Sequence, residues 1–232
     1  MTQQDSIIQQ DSYITIAEAG EGCYVESRSR FLAFALHAGS EEEVKEILAA
    51  FRKKYYDARH VCYAYVLGDH GDRTRQNDDG EPSGTAGAPL GRQLRSYGLT
   101  YTLLIVVRYF GGVKLGTSRL GVAYKTAAIE ALENAEKKEC IIKQRFTVSV
   151  SYPDADTAMR FIRDAEAEIV ARDYTATDSI LTVEIRLKSE MQLRERLSGI
   201  LSLRFLEEQP QGEAADVWRN TLRICIEILV FG

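Results

Sequence analysis

The sequence predicts an α+β fold in two domains, the second of them ferredoxin-like. A strand-and-helix pattern runs along 232 residues and resets near 139–144, and two small domains are the expected division of a chain this long. After the reset the order is strand, helix, strand, strand, helix, strand, which is the ferredoxin-like order. Before it, the run Leu-Leu-Ile-Val-Val at 103–107 is apolar throughout and rich in β-branched residues. That is the pattern of a strand covered on both faces. The domains are therefore placed at 1–140 and 145–232.

Taken in order, residues 1–11 are polar and expected to fray. Short strands follow at 13–16 and 22–27, joined by a turn at Gly20 to Gly22, with another at 31–37. Ser40 heads a helix: Glu43 completes a capping box, and Val44, Ile47, Leu48 and Phe51 form one apolar stripe. It runs to about Tyr56. His60 to Leu67 reads as a strand and 68–80 as a polar loop. A helix is expected from Pro82-Ser83 to Gly98, then the central strand, a glycine loop, and a long helix from Thr117 to about Lys138. In the second domain, strands are expected at 146–152, 169–177, 180–187, from Phe205 and at 222–230, just after Trp218. Helices are expected at 154–168 and 191–203.

Composition limits the function classes. Apolar residues make up 45% and charged residues 27%, a globular balance rather than that of a disordered chain. No apolar run approaches the roughly 20 residues that span a bilayer, so no membrane partner is expected. The start, Met-Thr-Gln-Gln-Asp-Ser, lacks the basic and apolar regions of a signal peptide, and a cytoplasmic location is expected. Cys23, Cys62, Cys140 and Cys225 show no C-x-x-C spacing, which points to reduced, buried thiols rather than structural zinc.

Charge is unevenly placed. The chain is acidic, at net −5, yet Pro82 to Ile129 contains no Asp or Glu and six basic residues: Arg92, Arg95, Arg108, Lys114, Arg119 and Lys125. Within it, Arg108 to Thr117 joins strand to helix and carries Gly111, Gly112, Gly116 and two cations. Such a loop can bind an anion through backbone N–H groups, a helix dipole and fixed positive charge. Thr117 and Ser118 are candidate N-caps. The loop matches neither the Walker pattern nor the dinucleotide fingerprint.

Asp78, Asp79 and Glu81 precede this region. Three carboxylates can hold Mg²⁺ or complement the dipole of the helix expected at Ser83. Ser83 and Thr85 read as caps or as nucleophiles. His60 reads as a structural histidine, a general base or a phosphate ligand. Tyr63, Tyr65, Tyr101, Tyr109 and Tyr124 read as strand packing or as rings that stack bases.

Three segments together resemble the signature of the IMPACT/YigZ family. They are His60-x-Cys62-Tyr63-Ala64, then Asp78-Asp79-Gly80-Glu81-Pro82-Ser83-Gly84-Thr85-Ala86-Gly87, then Val107-Arg108-Tyr109-Phe110-Gly111-Gly112-x-Lys114-Leu115-Gly116. The chain departs from the family pattern at Ala88 and over 118–124, where Arg119 and the nearby Lys125 keep positive charge. The resemblance implies a first domain like domain 2 of ribosomal protein S5 and a second like domain V of elongation factor G. It also implies a link to translation, with RNA or the ribosome as partner and a translation-regulatory protein as a further one.

On this reading Arg92, Arg95, Arg108, Lys114, Arg119 and Lys125 contact phosphates, with Gly111, Gly112, Gly116 and Thr117 shaping the loop. His60, Asp78, Asp79, Glu81, Ser83, Thr85 and Tyr109 form the surface of the family motif. No catalytic residue, metal or cofactor is expected. Two alternatives stay open: an enzyme or binding protein for a small phosphorylated molecule, with Asp78, Asp79 and Glu81 on a metal, and a protein-interaction regulator.

Overall fold

The computed structural model describes residues 11–206, which form two compact units: 13–140, and 141–206 together with 11–12. The first unit runs β1 (Ser12–Glu18), β2 (Gly20–Glu26), β3 (Ser29–His37), α1 (Glu41–Lys54), β4 (His60–Leu67), β5 (Arg73–Asn77), α2 (Gly87–Ser96), β6 (Thr102–Tyr109), α3 (Thr117–Asn134) and β7 (Glu136–Ile141). Five strands form an antiparallel sheet in the order β2-β3-β6-β4-β5, while β1 pairs with β7 separately.

β6 lies at the centre of this sheet and is dry on both sides. Leu103, Ile105 and Val107 meet Val44, Ile47 and Phe51 of α1. Leu104 and Val106 face the opposite layer, built from Leu90 and Leu94 of α2 and Leu120, Ala123 and Ala127 of α3. Strand side chains alternate between faces, which explains why an unbroken apolar run was required here. α1 starts as its sequence demands: Ser40 Oγ accepts from Glu43 N at 3.2 Å. The Glu43 carboxylate reaches one residue further back, accepting from Gly39 N at 2.8 Å.

The second unit runs β8 (Lys143–Ser151), α4 (Tyr152–Asp164), β9 (Glu168–Tyr174), β10 (Asp178–Arg186), α5 (Leu187–Ser198) and β11 (Arg204–Leu206). Its antiparallel sheet has the order β11-β8-β10-β9. Every second residue of β10 is buried, so one face of the sheet carries the helices. Phe146, Val148, Val150, Leu181, Val183 and Ile185 pack there against Ala158, Ile162, Leu193 and Leu197.

Several elements differ from expectation. Gly20 and Gly22 form no turn; they lie in β2, where α3 rests on the backbone itself. A Cβ on Gly20 would sit 2.1 Å from Ala131 O, and one on Gly22 2.6 Å from Ala127 O. Part of the expected loop at 68–80 is the edge strand β5, whose polar Arg-Thr-Arg-Gln-Asn needs only the ladder of β4. The helix expected at Pro82-Ser83 begins at Gly87. α3 ends at Asn134, because Ala135 turns extended and the next residues pair with β1. Gly116, not Thr117 or Ser118, is its N-cap, and no side chain caps it. α4 and α5 each start earlier than expected, at Tyr152 and Leu187. Trp218, the strand expected at 222–230 and the polar start at 1–10 lie outside the described residues.

Candidate functional site

The motif residues converge where β4 begins and β6 ends. Register places Phe31, Arg108 and His60 in one row across β3, β6 and β4. Arg108 continues the series Leu104, Val106 by strand parity, so its side chain points under α2 and α3 rather than outward. Only 6% of it is exposed. Its Nη1 donates to Glu81 Oε1 at 2.5 Å, and its guanidinium lies 5.3 Å from the Phe31 ring centroid and 5.5 Å from that of Phe110. Arg108 Nε is buried without a hydrogen-bond partner among the described residues.

Glu81 is equally enclosed, at 4% side-chain exposure. Its Oε1 also accepts from Tyr124 Oη at 2.9 Å and lies 3.9 Å from His60 Nε2. His60 Nδ1 is 2.8 Å from the carbonyl of Asp79; that oxygen can only accept, so Nδ1 carries the proton. Cys62 Sγ lies 3.0 Å from the carbonyl of Asp78 and 3.3 Å from Tyr124 Oη, and its single proton serves one of these acceptors at a time. Burial pushes the Cys62 thiol up, out of reach of the thiolate form that attacks or binds metal. Burial, with the Cys62 and Glu81 side chains adjacent, likewise raises Tyr124.

The remaining carboxylates are committed to the loop that carries them. Asp78 accepts from the backbone N–H of Gly84, Ala86 and Gly87 at 2.8–2.9 Å. Partial burial raises its pKa, but those three donors outweigh burial and hold it below the usual carboxylate value. Asp78 therefore does the helix-start work expected of Ser83 and Thr85. Asp79 accepts from Val61 N at 2.6 Å and pairs with Arg52 at 2.7 Å. Thr85 is buried and donates to Pro82 O, whereas Ser83 is exposed.

The residues expected as a motif surface are thus partly turned inward. Glu81 and Thr85 are buried, His60 is nearly so, and Tyr109 is half-buried with its hydroxyl on Asp57. Among the described residues, neither Ser83 nor Thr85 has a base beside it, and burial disfavours the Cys62 thiolate. A Mg²⁺ site at Asp78, Asp79 and Glu81 would have to break bonds that hold the loop, so these residues do not fit that metal.

The predicted phosphate contacts divide. Arg92, Arg95, Lys114 and Lys125 are exposed, as are Gly112, Gly116 and Thr117, with Gly111 half-buried. Arg119 is exposed but pairs with Glu26. Arg108 is inside, held by Glu81. Gly111 is fixed by its neighbours: a Cβ there would lie 2.1 Å from the backbone of Arg28, and its N–H donates to Ser29 Oγ at 3.1 Å. Three exposed cations that the sequence did not single out, Arg28, Arg30 and Arg59, stand at the same end of the sheet. They come from the β2–β3 turn, β3 and the segment before β4. No local pattern marks them; only the strand order β3-β6-β4 brings them together.

A family model described as the Impact N-terminal domain matches residues 27–132. The chain is 42% identical over 123 residues to the IMPACT family member YvyE of Bacillus subtilis, an alignment covering 53% of this chain and 57% of that relative. It is 32% identical over 151 residues to the IMPACT family member YigZ of Escherichia coli, covering 64% and 74%. A solved crystal structure of a hypothetical protein superposes with a TM-score of 0.64 at 27% identity, covering 87% of this chain and 99% of that one.

Proposed function

We propose that this chain, which belongs to the IMPACT family, is a cytoplasmic, translation-linked protein that binds RNA or the ribosome through the basic side of its first unit. The observation that carries this reading is the inward turn of the motif carboxylates. Asp78, Asp79 and Glu81 are consumed by backbone N–H groups, Arg52 and Arg108. The acid-free stretch that follows, 82–129, then presents Arg92 and Arg95 on α2 and Lys114 and Lys125 at and beyond the glycine loop. Both helices cover the same face of the sheet. Exposed cations of one sign, with the adjacent acids neutralised within the fold, favour a polyanionic partner.

The finer fold assignments belong to the same reading. The order β-α-β-β-α-β and the antiparallel sheet β11-β8-β10-β9 support a ferredoxin-like second unit. The S5 domain 2-like assignment of the first rests on the family resemblance.

Co-sedimentation with purified ribosomes across a salt series tests the proposal. The wild type should pellet at low salt and be released as salt rises, and the triple variant Arg95→Glu/Lys114→Glu/Lys125→Glu should stay in the supernatant. Equal pelleting of the two proteins, or none at low salt, would refute it. Arg108 is unsuitable for this purpose, since Arg108→Glu would bury two carboxylates against each other.

A further inference from the structure

We propose that Phe110 is a stacking platform for an unpaired base, and that the RNA bound at this end of the first unit is single-stranded. The inference rests on the RNA-binding reading above and names the form of RNA that it takes.

Phe110 is the residue after β6, and 40% of it is exposed although β6 itself is almost wholly buried. Its backbone is held rather than loose. The strand register fixes the chain before it, and Gly111, pressed against Arg28 and bonded to Ser29, fixes the chain after it. Two guanidinium groups lie over the ring, Arg108 at 5.5 Å from the centroid and Arg59 at 5.8 Å. Arg108 is buried and cannot swing away; Arg59 is exposed and can give up its place over the ring to a base and meet a phosphate. Val113, two residues beyond Gly111 in the same loop, is 42% exposed.

Charge surrounds this ring. Arg28 adjoins Gly111, Arg30 lies over the neighbouring Tyr109 ring at 5.2 Å, and Lys114 extends from the same loop. Of the carboxylates at this end, Asp57 accepts from the Tyr109 hydroxyl and Glu81 is held by Arg108. Arg119 and Glu26 neutralise each other. An exposed aromatic ring on a fixed backbone, set among cations, is the combination that binds single strands: the ring takes a base face, and the cations track the backbone. A duplex keeps its bases stacked on one another and offers none to the ring. Of the five tyrosines considered for stacking from the sequence, Tyr63, Tyr65 and Tyr124 are buried in the core, and Tyr101 and Tyr109 are half-buried with their hydroxyls on Asp69 and Asp57.

The experiment uses the full chain with a 12-nucleotide single-stranded RNA carrying one 2-aminopurine, and the same RNA annealed to its complement. Wild type should bind the single strand more tightly and quench the 2-aminopurine as it stacks. Phe110→Ala should weaken single-strand binding about 5- to 140-fold, the usual loss when a stacking ring is removed. It should abolish the quench while leaving duplex binding unchanged. Phe110→Trp should restore both affinity and quench, which a variant with a damaged fold would not allow. Binding of RNA with Phe110→Ala indistinguishable from wild type would overturn this inference and leave the RNA-binding reading standing. Absence of binding to either RNA at low salt would overturn both. Competition by poly-glutamate as effective as by RNA would also overturn it, because the surface would then be reading charge alone, as a protein-docking patch does.

Discussion

Removing one member of the Glu81–Arg108 pair should destabilise the first unit by about 3–5 kcal/mol, the cost of leaving a buried charge without its partner. Both side chains are enclosed, at 4% and 6% exposure, and their atoms meet at 2.5 Å. Arg108→Met leaves the Glu81 carboxylate facing Tyr124 and His60 alone. Glu81→Gln leaves a guanidinium between the rings of Phe31 and Phe110. The double variant Glu81→Gln/Arg108→Met carries no buried charge here and should lose much less than the sum, with a coupling of about 2–3 kcal/mol. Native-state hydrogen exchange at the amides of 103–107 is the suitable assay, because it reports the opening of this sheet without reference to the second unit. If each single variant cost less than about 1 kcal/mol, the pair would behave as an exposed one. The motif carboxylate would then not be enclosed in solution.

Two further predictions concern pH. The Asp78 carboxylate has a folded pKa below its unfolded value of 3.8, so its contribution is present above that value and lost as pH falls through the lower folded pKa. Asp78→Asn should lower stability at neutral pH and flatten the acid limb of a urea-midpoint series below pH 4; an unchanged limb would contradict the three-donor account. His37, which hydrogen-bonds Thr15 through Nδ1, is pushed down from 6.5 to about 4 by burial and then by Lys138. The unfolded chain therefore takes up a proton first. Stability should fall between pH 6.5 and about 4, by roughly 3 kcal/mol if the full shift is realised. Midpoints measured across that window should slope for the wild type and run flatter for His37→Gln, and equal slopes would refute the assignment.

What could be read in the sequence was whatever a local pattern encodes. The central strand followed from its two-sided apolar run, α1 from its cap and stripe, and β8 to β11 from alternation and turns. β5 and β7 were hidden because their residues are polar and form strands only by pairing with β4 and β1. Arg108 was read as part of the loop after β6, whereas the strand continues to Tyr109. Counting strand parity from Leu104 would have turned its side chain inward, and Glu81, in the neighbouring motif, was the acid available to meet it. Gly20 and Gly22 suggested a turn because a glycine's need for space beside a distant helix leaves no local mark. Arg28, Arg30 and Arg59 were illegible for the same reason: their grouping depends on three strands lying side by side.

The most direct test of the account is the salt dependence of affinity for single-stranded RNA, compared between the wild type and Arg59→Glu/Lys114→Glu. Four phosphate contacts at this end, one each from Arg28, Arg30, Arg59 and Lys114, contribute about −3 to the slope of log K against log salt. The variant should bind more weakly at every salt concentration and show a slope shallower by about 1.4. A wild-type slope near zero, or a variant with the wild-type slope and affinity, would contradict the claim that this end of the protein binds RNA through its phosphates.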